Sequence, residues 1–284
     1  MRAFPAALLV VLLAPGIGAL AETATKVEVV APPSLEWEAR FQGVDYATFT
    51  LDAPRPMVCH VLRVDLSADG VALITNDDNG DRPEETDGAK TSTFVGQTGC
   101  QAAVNGAPFW PIHAEEGLPQ NVAGIVISEG ELVSPDFEGR PGLIYFADRS
   151  AAIGLPAESD DVVTAVGGFW SVLRDGEVVD VGESVHPRTA AGVSEDGRTV
   201  WLLVVDGRQP GYSEGARSDE LGSILKSLGA DDGLNLDGGG TTAMAIEGPD
   251  GEPVVFNRPI NGGVPGQERV SASHLGVRAV RLKD

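Results

Sequence analysis

The chain has 284 residues, with 42 Asp and Glu against 20 Lys and Arg, and its formal net charge at pH 7 is −22. Nucleic acids and anionic membrane surfaces are bound through clustered Lys and Arg, so a protein this acidic is a poor partner for either. The length suits one large domain with a sizeable core. A phosphate-bearing ligand would require arginines to be concentrated at its site.

The N-terminus has the pattern of a secretory signal peptide. A Met-Arg start is followed by an apolar run, residues 4–20, which ends at the small-residue site Ala-Leu-Ala. Proline and glycine interrupt the run, and it falls short of the ~20 apolar residues that span a bilayer. We expect residues 1–21 to be cleaved near Ala21 and the mature protein to be exported, periplasmic or secreted, without a membrane anchor.

Residues 22–99 are predicted to form a β-rich N-terminal part of the domain that continues through residues 100–284. The segment VCHVLRVDL, residues 58–66, alternates in character, which indicates a strand. The charged segment DDNGDRPEET, residues 77–86, begins like a calcium loop. Arg82 and Gly88, however, stand where such a loop needs a glycine and a bidentate glutamate, and we interpret the segment as a solvated loop.

Cys59 and Cys100 are the two cysteines of the chain. An oxidising compartment would allow a disulfide between them, and two buried free thiols are the alternative. The sequence has no C-x-x-C or H-E-x-x-H motif, so no zinc site is predicted. We predict no cofactor and leave a divalent cation such as calcium open.

Three segments are predicted to form β-hairpins. In each, apolar runs flank a Glu-Gly or Asp-Gly turn: GIVISEGELVS (124–134), SVLRDGEVVDV (171–181) and AGVSEDGRTVWLLVV (191–205). The run TVWLLVV, residues 199–205, is apolar on both alternating faces. This is typical of a strand in the middle of a sheet.

A helix is predicted next, over SDELGSILKSLGA (218–230). It is predicted to begin with the N-terminal cap Ser218 and to end at the C-terminal cap Gly229. A short strand follows in DGLNLDGGG, residues 232–240. Strand, helix and strand in this order predict a βαβ crossover with parallel strands. We therefore predict a mixed α+β fold, with a mixed β-sheet core, hairpins, at least one βαβ crossover and helices packed on the sheet.

Two carboxylates follow the strands of this crossover. Asp206 comes directly after the first strand and Asp237 after the second, so both are expected at the same edge of the sheet. Paired carboxylates serve as acid and as base or nucleophile in glycoside hydrolysis, and their separation decides between a retaining and an inverting course. The sequence leaves that course open. The glycines after Asp237 would let a ligand approach backbone N–H groups.

Basic residues gather around the same region. A guanidinium group binds phosphate with two hydrogen bonds and keeps its charge. Four arginines lie close to these motifs and are candidates for binding the substrate: Arg188, Arg208, Arg258 and Arg269. We expect Arg188 and Arg208 to hold the phosphate. His186 is a candidate acid or phosphate donor, or simply the residue before Pro187.

The motifs together resemble the phosphodiester glycosidase family. The resemblance covers roughly residues 100–281 and rests on AAVNGAPFW (102–110), on the segment from HPRTA to DGGGTTAM (186–244), on NRP (257–259) and on ERVSASHLGV (268–277). It implies hydrolysis of a sugar-1-phosphodiester at the sugar carbon, with N-acetylglucosamine as one such sugar. Ala107 and Pro108 before the aromatic pair depart from the family pattern.

Site residues follow from this resemblance combined with the chemistry. The catalytic candidates are Asp237 and Asp206, with Glu214 as a substitute. The substrate-binding candidates are Arg188, Arg208, His186, Asn105, Asn235, Gly238, Gly239, Gly240, Thr241, Asn257, Arg258 and Arg269.

Two other functions remain open. A non-catalytic glycan-binding or exopolysaccharide-assembly protein would expose the aromatics Phe109, Trp110 and Phe169 in a groove. A metal-dependent phosphodiesterase would use the oxygens of Asp206, Asp237 and Asn235 as ligands. The partner in each case is a carbohydrate or glycan phosphodiester, and the oligomeric state is left open.

Overall fold

Strands dominate the chain. The computed structural model describes residues 30–155, 161–179 and 181–283, so the predicted signal peptide lies outside the described residues. The α-helices are α1 Thr91–Thr98 and α2 Ser218–Leu228, and 3₁₀ turns lie at Gly239–Thr241 and Asn261–Gly263. The strands are β1 Glu38–Phe41, β2 Val44–Leu51, β3 Met57–Asp65, β4 Ala72–Ile74, β5 Thr86–Asp87, β6 Ala102–Asn105, β7 Phe109–Trp110, β8 Pro119–Val122, β9 Val126–Ser128, β10 Glu131–Ser134, β11 Gly142–Phe146, β12 Ala151–Gly154, β13 Val162–Gly167, β14 Trp170–Arg174, β15 Glu177–Val178, β16 Arg188–Val193, β17 Thr199–Val205, β18 Asp232–Asn235, β19 Met244–Glu247, β20 Pro253–Val255 and β21 His274–Arg278.

The strands form four sheets. The largest has eight strands in the order β1-β2-β3-β17-β16-β18-β14-β15. Two five-stranded sheets have the orders β10-β9-β13-β11-β12 and β20-β19-β6-β21-β4, and a small sheet has the order β5-β8-β7. Strands β1 to β3, from the predicted N-terminal part, thus share a sheet with β14 to β18.

The prediction of a mixed α+β fold with a βαβ crossover is wrong. The described residues contain only two α-helices, and all the paired strands within the sheets run antiparallel. Strands β17 and β18, on either side of α2, do not pair, because β16 lies between them and is antiparallel to both. The hairpin partner of β17 occupies the position that a parallel crossover strand would take.

The local predictions fared better. All three hairpins are confirmed, as β9–β10, β14–β15 and β16–β17, and their turns place Gly130, Gly176 and Gly197 at positive φ. Helix α2 is also confirmed. The N-terminal cap, however, is Arg217 rather than Ser218, which is the first helical residue. The backbone N–H of Arg217 donates to Glu220 at 2.8 Å, and Gly229 ends the helix at φ 107°.

The eight-stranded sheet is buried on both faces. On one face, Leu202 and Val204 of β17 pack with residues of both five-stranded sheets, such as Leu143 and Leu275. On the other face, Leu203 and its neighbours pack against the apolar side of α2. The central position predicted for TVWLLVV is confirmed, because β17 lies between β3 and β16.

The two cysteines are buried free thiols, and the alternative of a disulfide is not realised. Cys59 lies in the core under α2, whereas Cys100 packs with Phe94 in a separate cluster. Burial raises the pKa of both thiols. In the part of the chain that the structure describes, no helix has the length and apolar character needed to cross a membrane.

Candidate active site

The two predicted catalytic aspartates lie at one edge of the eight-stranded sheet. Strands β17 and β18 point in the same direction because each is antiparallel to β16. Asp206 and Asp237 therefore emerge at the same edge, with Arg188 at the start of β16 between them. Neighbouring strands lie ~4.8 Å apart, and β16 lies between β17 and β18. The backbones of β17 and β18 are therefore separated by about 10 Å.

Asp237 lies in a pocket. Its side chain is partly exposed and lines a cavity of about 350 Å³ together with Arg269, Phe109 and Phe169. Burial raises the pKa of Asp237 to about 6, against the hydrogen bonds from Thr241 and Gly238 and the charge of Arg269, which lower it. A carboxyl group with a pKa near neutrality suits proton transfer at physiological pH.

The backbone of Asp237 is held on both sides by the Asn-Gly segment after β6. The Nδ2 of Asn105 donates to the Asp237 carbonyl at 2.8 Å, and the Asp237 N–H donates to the Gly106 carbonyl at 2.9 Å. The Oδ1 of Asn105 accepts from Thr189 at 2.6 Å. Asn105 is therefore placed to position Asp237, and it is itself fully buried.

The three glycines after Asp237 make room for their neighbours. A Cβ on Gly238 would meet the carbonyl oxygen of Pro187 at 2.8 Å. Gly239 has φ +66°, and a Cβ there would lie 3.0 Å from both terminal nitrogens of Arg208. A Cβ on Gly240 would collide with the guanidinium group of Arg269. Two guanidinium groups thus lie directly against the backbone of this loop.

Substitution of Gly240 by alanine is expected to displace Arg269 without unfolding the protein, because the colliding atoms end a flexible side chain. If Arg269 holds phosphate, KM for a phosphodiester substrate should rise about tenfold or more. Gly154→Ala is the matched control, since a Cβ there meets nothing within 4 Å. A Gly240→Ala variant with unchanged KM and thermal midpoint would contradict a role for Arg269 in binding.

The four predicted arginines lack carboxylate partners, which is unusual in a protein this acidic. Within the described residues, none of Arg188, Arg208, Arg258 and Arg269 forms a salt bridge, although ten other arginines do. Arg208 and Arg258 are exposed. Their charges are left available for an anion.

His186 lies beside two of these arginines. The Nη2 of Arg208 donates to His186 Nδ1 at 3.2 Å, which leaves Nε2 as the protonated ring nitrogen. Burial lowers the pKa of His186, and the charges of Arg208 and Arg188 lower it further. Arg188 is buried and donates to the backbone carbonyls of Ala216 and Ser184 at 3.1 and 2.7 Å. The neutral imidazole and Arg208 together form a donor pair near Gly239.

Asp206 has a different environment from Asp237. It is 1% exposed, and its oxygens accept from Asn257 Nδ2 at 2.9 Å, from the Tyr212 hydroxyl at 2.9 Å and from the Arg258 N–H at 3.0 Å. Burial raises its pKa, but the His60 ring at 3.7 Å and the hydrogen bonds from Asn257 and the Arg258 N–H outweigh burial and hold the pKa below its ordinary value. This environment favours a structural role for Asp206, whereas its catalytic role stays a prediction.

The remaining predicted residues divide into buried and exposed groups. Asn257 bridges Asp206 and the Met244 N–H, and the exposed Arg258 lies 5.1 Å above the Tyr212 ring. Asn235 is buried, and its Oδ1 has no hydrogen-bond partner among the described residues. Glu214 is exposed, and its carbonyl accepts from the Arg208 N–H at 3.1 Å.

Thr241 connects two of the site residues. Its hydroxyl bonds to Asp237 and lies 3.5 Å from the Nη1 of Arg269.

The pocket beside Asp237 has walls that the sequence only partly indicated. Phe109, Trp110 and Phe169 line it as expected for a groove of aromatics. Phe137 and Arg140 line it too, although neither belongs to the motifs that predict the site. Both come from the turn after β10. The sequence features that could have indicated them as pocket residues are an aromatic side chain and an arginine beside Pro141.

The oxygens of Asp206, Asp237 and Asn235, the predicted metal ligands, differ in their surroundings. Those of Asp206 are already engaged by hydrogen-bond donors, and the two aspartates follow strands that do not pair. Among the residues that the structure describes, no group of three or more His, Cys, Asp or Glu side chains has the arrangement of a metal site.

The residues of this site lie in a segment that matches a known protein family. A sequence model described as phosphodiester glycosidase matches residues 98–278. The chain belongs to the phosphodiester glycosidase family. This confirms the resemblance found in the sequence. No curated protein matches the chain significantly.

Solved structures share the fold of this family member. The zebrafish N-acetylglucosamine-1-phosphodiester alpha-N-acetylglucosaminidase catalytic domain, auto-inhibited by its pro-peptide, is 20% identical with a TM-score of 0.63, over 86% of this chain and 88% of that chain. A hypothetical protein from Synechocystis is 14% identical with a TM-score of 0.63, over 87% of this chain and 64% of that one. A Burkholderia pseudomallei protein described as exported is 18% identical with a TM-score of 0.58, over 78% and 74%.

Proposed function

We propose that this family member is an exported glycosidase that hydrolyses a sugar-1-phosphodiester between the sugar carbon and the phosphate oxygen. The observation that carries the proposal is the juxtaposition of Asp237, whose pKa is about 6, with Arg269 in one aromatic-lined pocket. Membership of the phosphodiester glycosidase family supports the reaction class. The fold shared with a protein described as exported and the predicted signal peptide support the location.

The phosphate would lie over the glycine loop. Arg208 and Arg269 pack against Gly239 and Gly240, and each retains N–H donors that no carboxylate side chain occupies within the described residues. The Nε2–H of His186 would add a donor. Matching the phosphate charge with these groups makes the phosphomonoester a good leaving group, so a strong acid at the leaving oxygen is not required.

Asp237 would then act as the base or nucleophile at the anomeric carbon. The lining of the pocket contains no other carboxylate among the described residues. Asp206 would position the Arg258 backbone and the Tyr212 loop rather than react. Glu214 remains the candidate for a second carboxylate, since it is exposed and its backbone bonds to that of Arg208. The sugar ring would stack on the aromatic wall.

The pH dependence of kcat/KM tests the role of Asp237. An ionised base or nucleophile predicts that kcat/KM rises as the pH passes about 6 and is flat above it, because the pKa of Asp237 is about 6. A catalytic acid at this position predicts the reverse, a fall above the same pH. Initial rates on a sugar-1-phosphodiester between pH 4 and 9 distinguish the two, and a falling profile would contradict the proposed role.

A non-catalytic glycan-binding protein is the second candidate, because the pocket wall is rich in aromatics. This candidate predicts that the protein binds sugar phosphodiesters without releasing product. Calorimetry and product detection on the same compound separate the two. Binding without turnover, at a protein concentration that would detect one turnover per molecule, supports the second candidate and contradicts the first.

A further inference from the structure

Arg140 is a second cation in the pocket, on the wall formed by the aromatics rather than on the glycine loop. It is presented by the turn Asp136–Gly139, in which Glu138 and Gly139 have φ of 57° and 69° and the Gly139 N–H donates to Asp136 at 2.9 Å. The same turn carries Phe137. One short segment therefore supplies an aromatic surface and a positive charge to the same side of the pocket.

The guanidinium group of Arg140 is placed by stacking rather than by a strong ion pair. Its Cζ lies 4.7 Å from the ring centre of Phe137 and 5.4 Å from that of Phe169. Stacking leaves the N–H donors at the edge of the planar group free for a ligand. Its ion pair, with Glu138 at 3.7 Å, involves a carboxylate that is 73% exposed, and such surface pairs are weak.

The charges of the proposed substrate indicate which of its groups Arg140 binds. A phosphodiester carries one negative charge, which Arg208 and Arg269 match at the glycine loop. Arg140 belongs to the wall on which the sugar ring would stack, so its partner is an anionic group on the sugar itself. A carboxylate fits the planar fork of donors best, because both of its oxygens can accept in parallel.

We propose that the sugar in this pocket is a uronic acid, whose C6 carboxylate is held by Arg140, the guanidinium group of which lies over the rings of Phe137 and Phe169. This inference rests on the proposed function and names its substrate class. The protein would discriminate a uronosyl-1-phosphodiester from the corresponding hexosyl compound, which differs only in the oxidation state of C6.

The test uses two matched substrate pairs, glucosyl with glucuronosyl and galactosyl with galacturonosyl 1-phosphodiesters, all with one alcohol. The readout is the ratio of kcat/KM within each pair. Wild type is expected to favour at least one uronosyl compound by about tenfold to a hundredfold, which is typical of hydrogen bonds between charged groups. Arg140→Gln should bring that ratio to about one, mainly through KM.

Two further variants control for charge and shape. Arg140→Lys keeps the charge without the planar fork and should retain part of the preference. Arg278→Gln removes the same charge at a strand end where the ion pair is also weak, 3.9 Å from Glu129, and should keep the wild-type ratio. A wild-type ratio near one for both pairs, or an Arg140→Gln ratio equal to that of wild type, overturns the proposal while leaving the glycosidase intact.

If no compound is hydrolysed, the proposed function fails and the binding of the same four compounds still decides this inference. Tighter binding of a uronosyl compound that Arg140→Gln abolishes supports the uronate subsite. Equal binding within each pair, or no binding, overturns it.

Discussion

Replacement of Asp237 by asparagine is expected to lower kcat on a sugar-1-phosphodiester by about 10²–10⁴-fold, the usual contribution of a positioned proton-transfer group. The amide keeps the shape of the side chain, and the backbone of residue 237 stays held by Asn105 and Gly106. The fold should therefore survive. Asp69→Asn is the matched control, because that side chain is 94% exposed and has no proposed role in the site.

The difference in stability between Asp237→Asn and wild type, and its dependence on pH, provides a second test of the environment of Asp237. The pKa of Asp237 in the folded protein, about 6, lies above the ordinary value of an aspartate, so the ionised carboxylate costs stability as the pH rises from that ordinary value to about 6. Asn removes that cost. The variant should be at least as stable as wild type at pH 8, and the difference should vanish near pH 4. Full activity in a folded Asp237→Asn variant would refute the catalytic assignment.

Removal of the Asp206 carboxylate is expected to destabilise the protein by about 3–5 kcal/mol, because Asp206→Ala takes the acceptor away from three donors that are buried or half-buried. These are Asn257 Nδ2, the Tyr212 hydroxyl and the Arg258 N–H. The measurement is the free energy of unfolding in urea. The lowered pKa of Asp206 adds stability above its ordinary pKa that is lost as the pH falls, so the difference from wild type should shrink in acid.

Asp206→Asn decides between the structural and catalytic roles. Its amide group would point a donor at groups that are themselves donors, so we expect a clear loss of stability. The remaining folded protein should keep measurable turnover. Wild-type stability combined with abolished turnover would instead restore Asp206 as the catalytic partner of Asp237.

The parts of the fold that the sequence could predict are those with local causes. The hairpins depend on Glu-Gly and Asp-Gly turns at positive φ, and α2 depends on its capping residues and apolar side. Strand order has no such local cause. The segment RTAAGV of β16 inserts between β17 and β18 through pairings with both, and nothing in its own residues distinguishes this from an edge position.

In the site, too, local features could be predicted from the sequence, whereas features that depend on distant segments could not. Asp206 and Asp237 look alike in the sequence, each an aspartate followed by glycine after an apolar strand. They differ because the chain after Phe256 covers Asp206, whereas Asp237 opens onto a pocket. The partners of the glycines could not be predicted either, since the guanidinium groups of Arg208 and Arg269 arrive from distant segments. Phe137 and Arg140 reach the pocket from a turn in another sheet.

The position of bond cleavage tests the central claim most directly. Hydrolysis of a sugar-1-phosphodiester in ¹⁸O-labelled water, followed by mass spectrometry of immediately quenched products, locates the new oxygen. Attack at the sugar carbon, as we propose, places the label on the free sugar and leaves the phosphomonoester unlabelled. Label in the phosphate, with sugar-1-phosphate or phosphomonoester as the labelled product, would show attack at phosphorus and contradict the account.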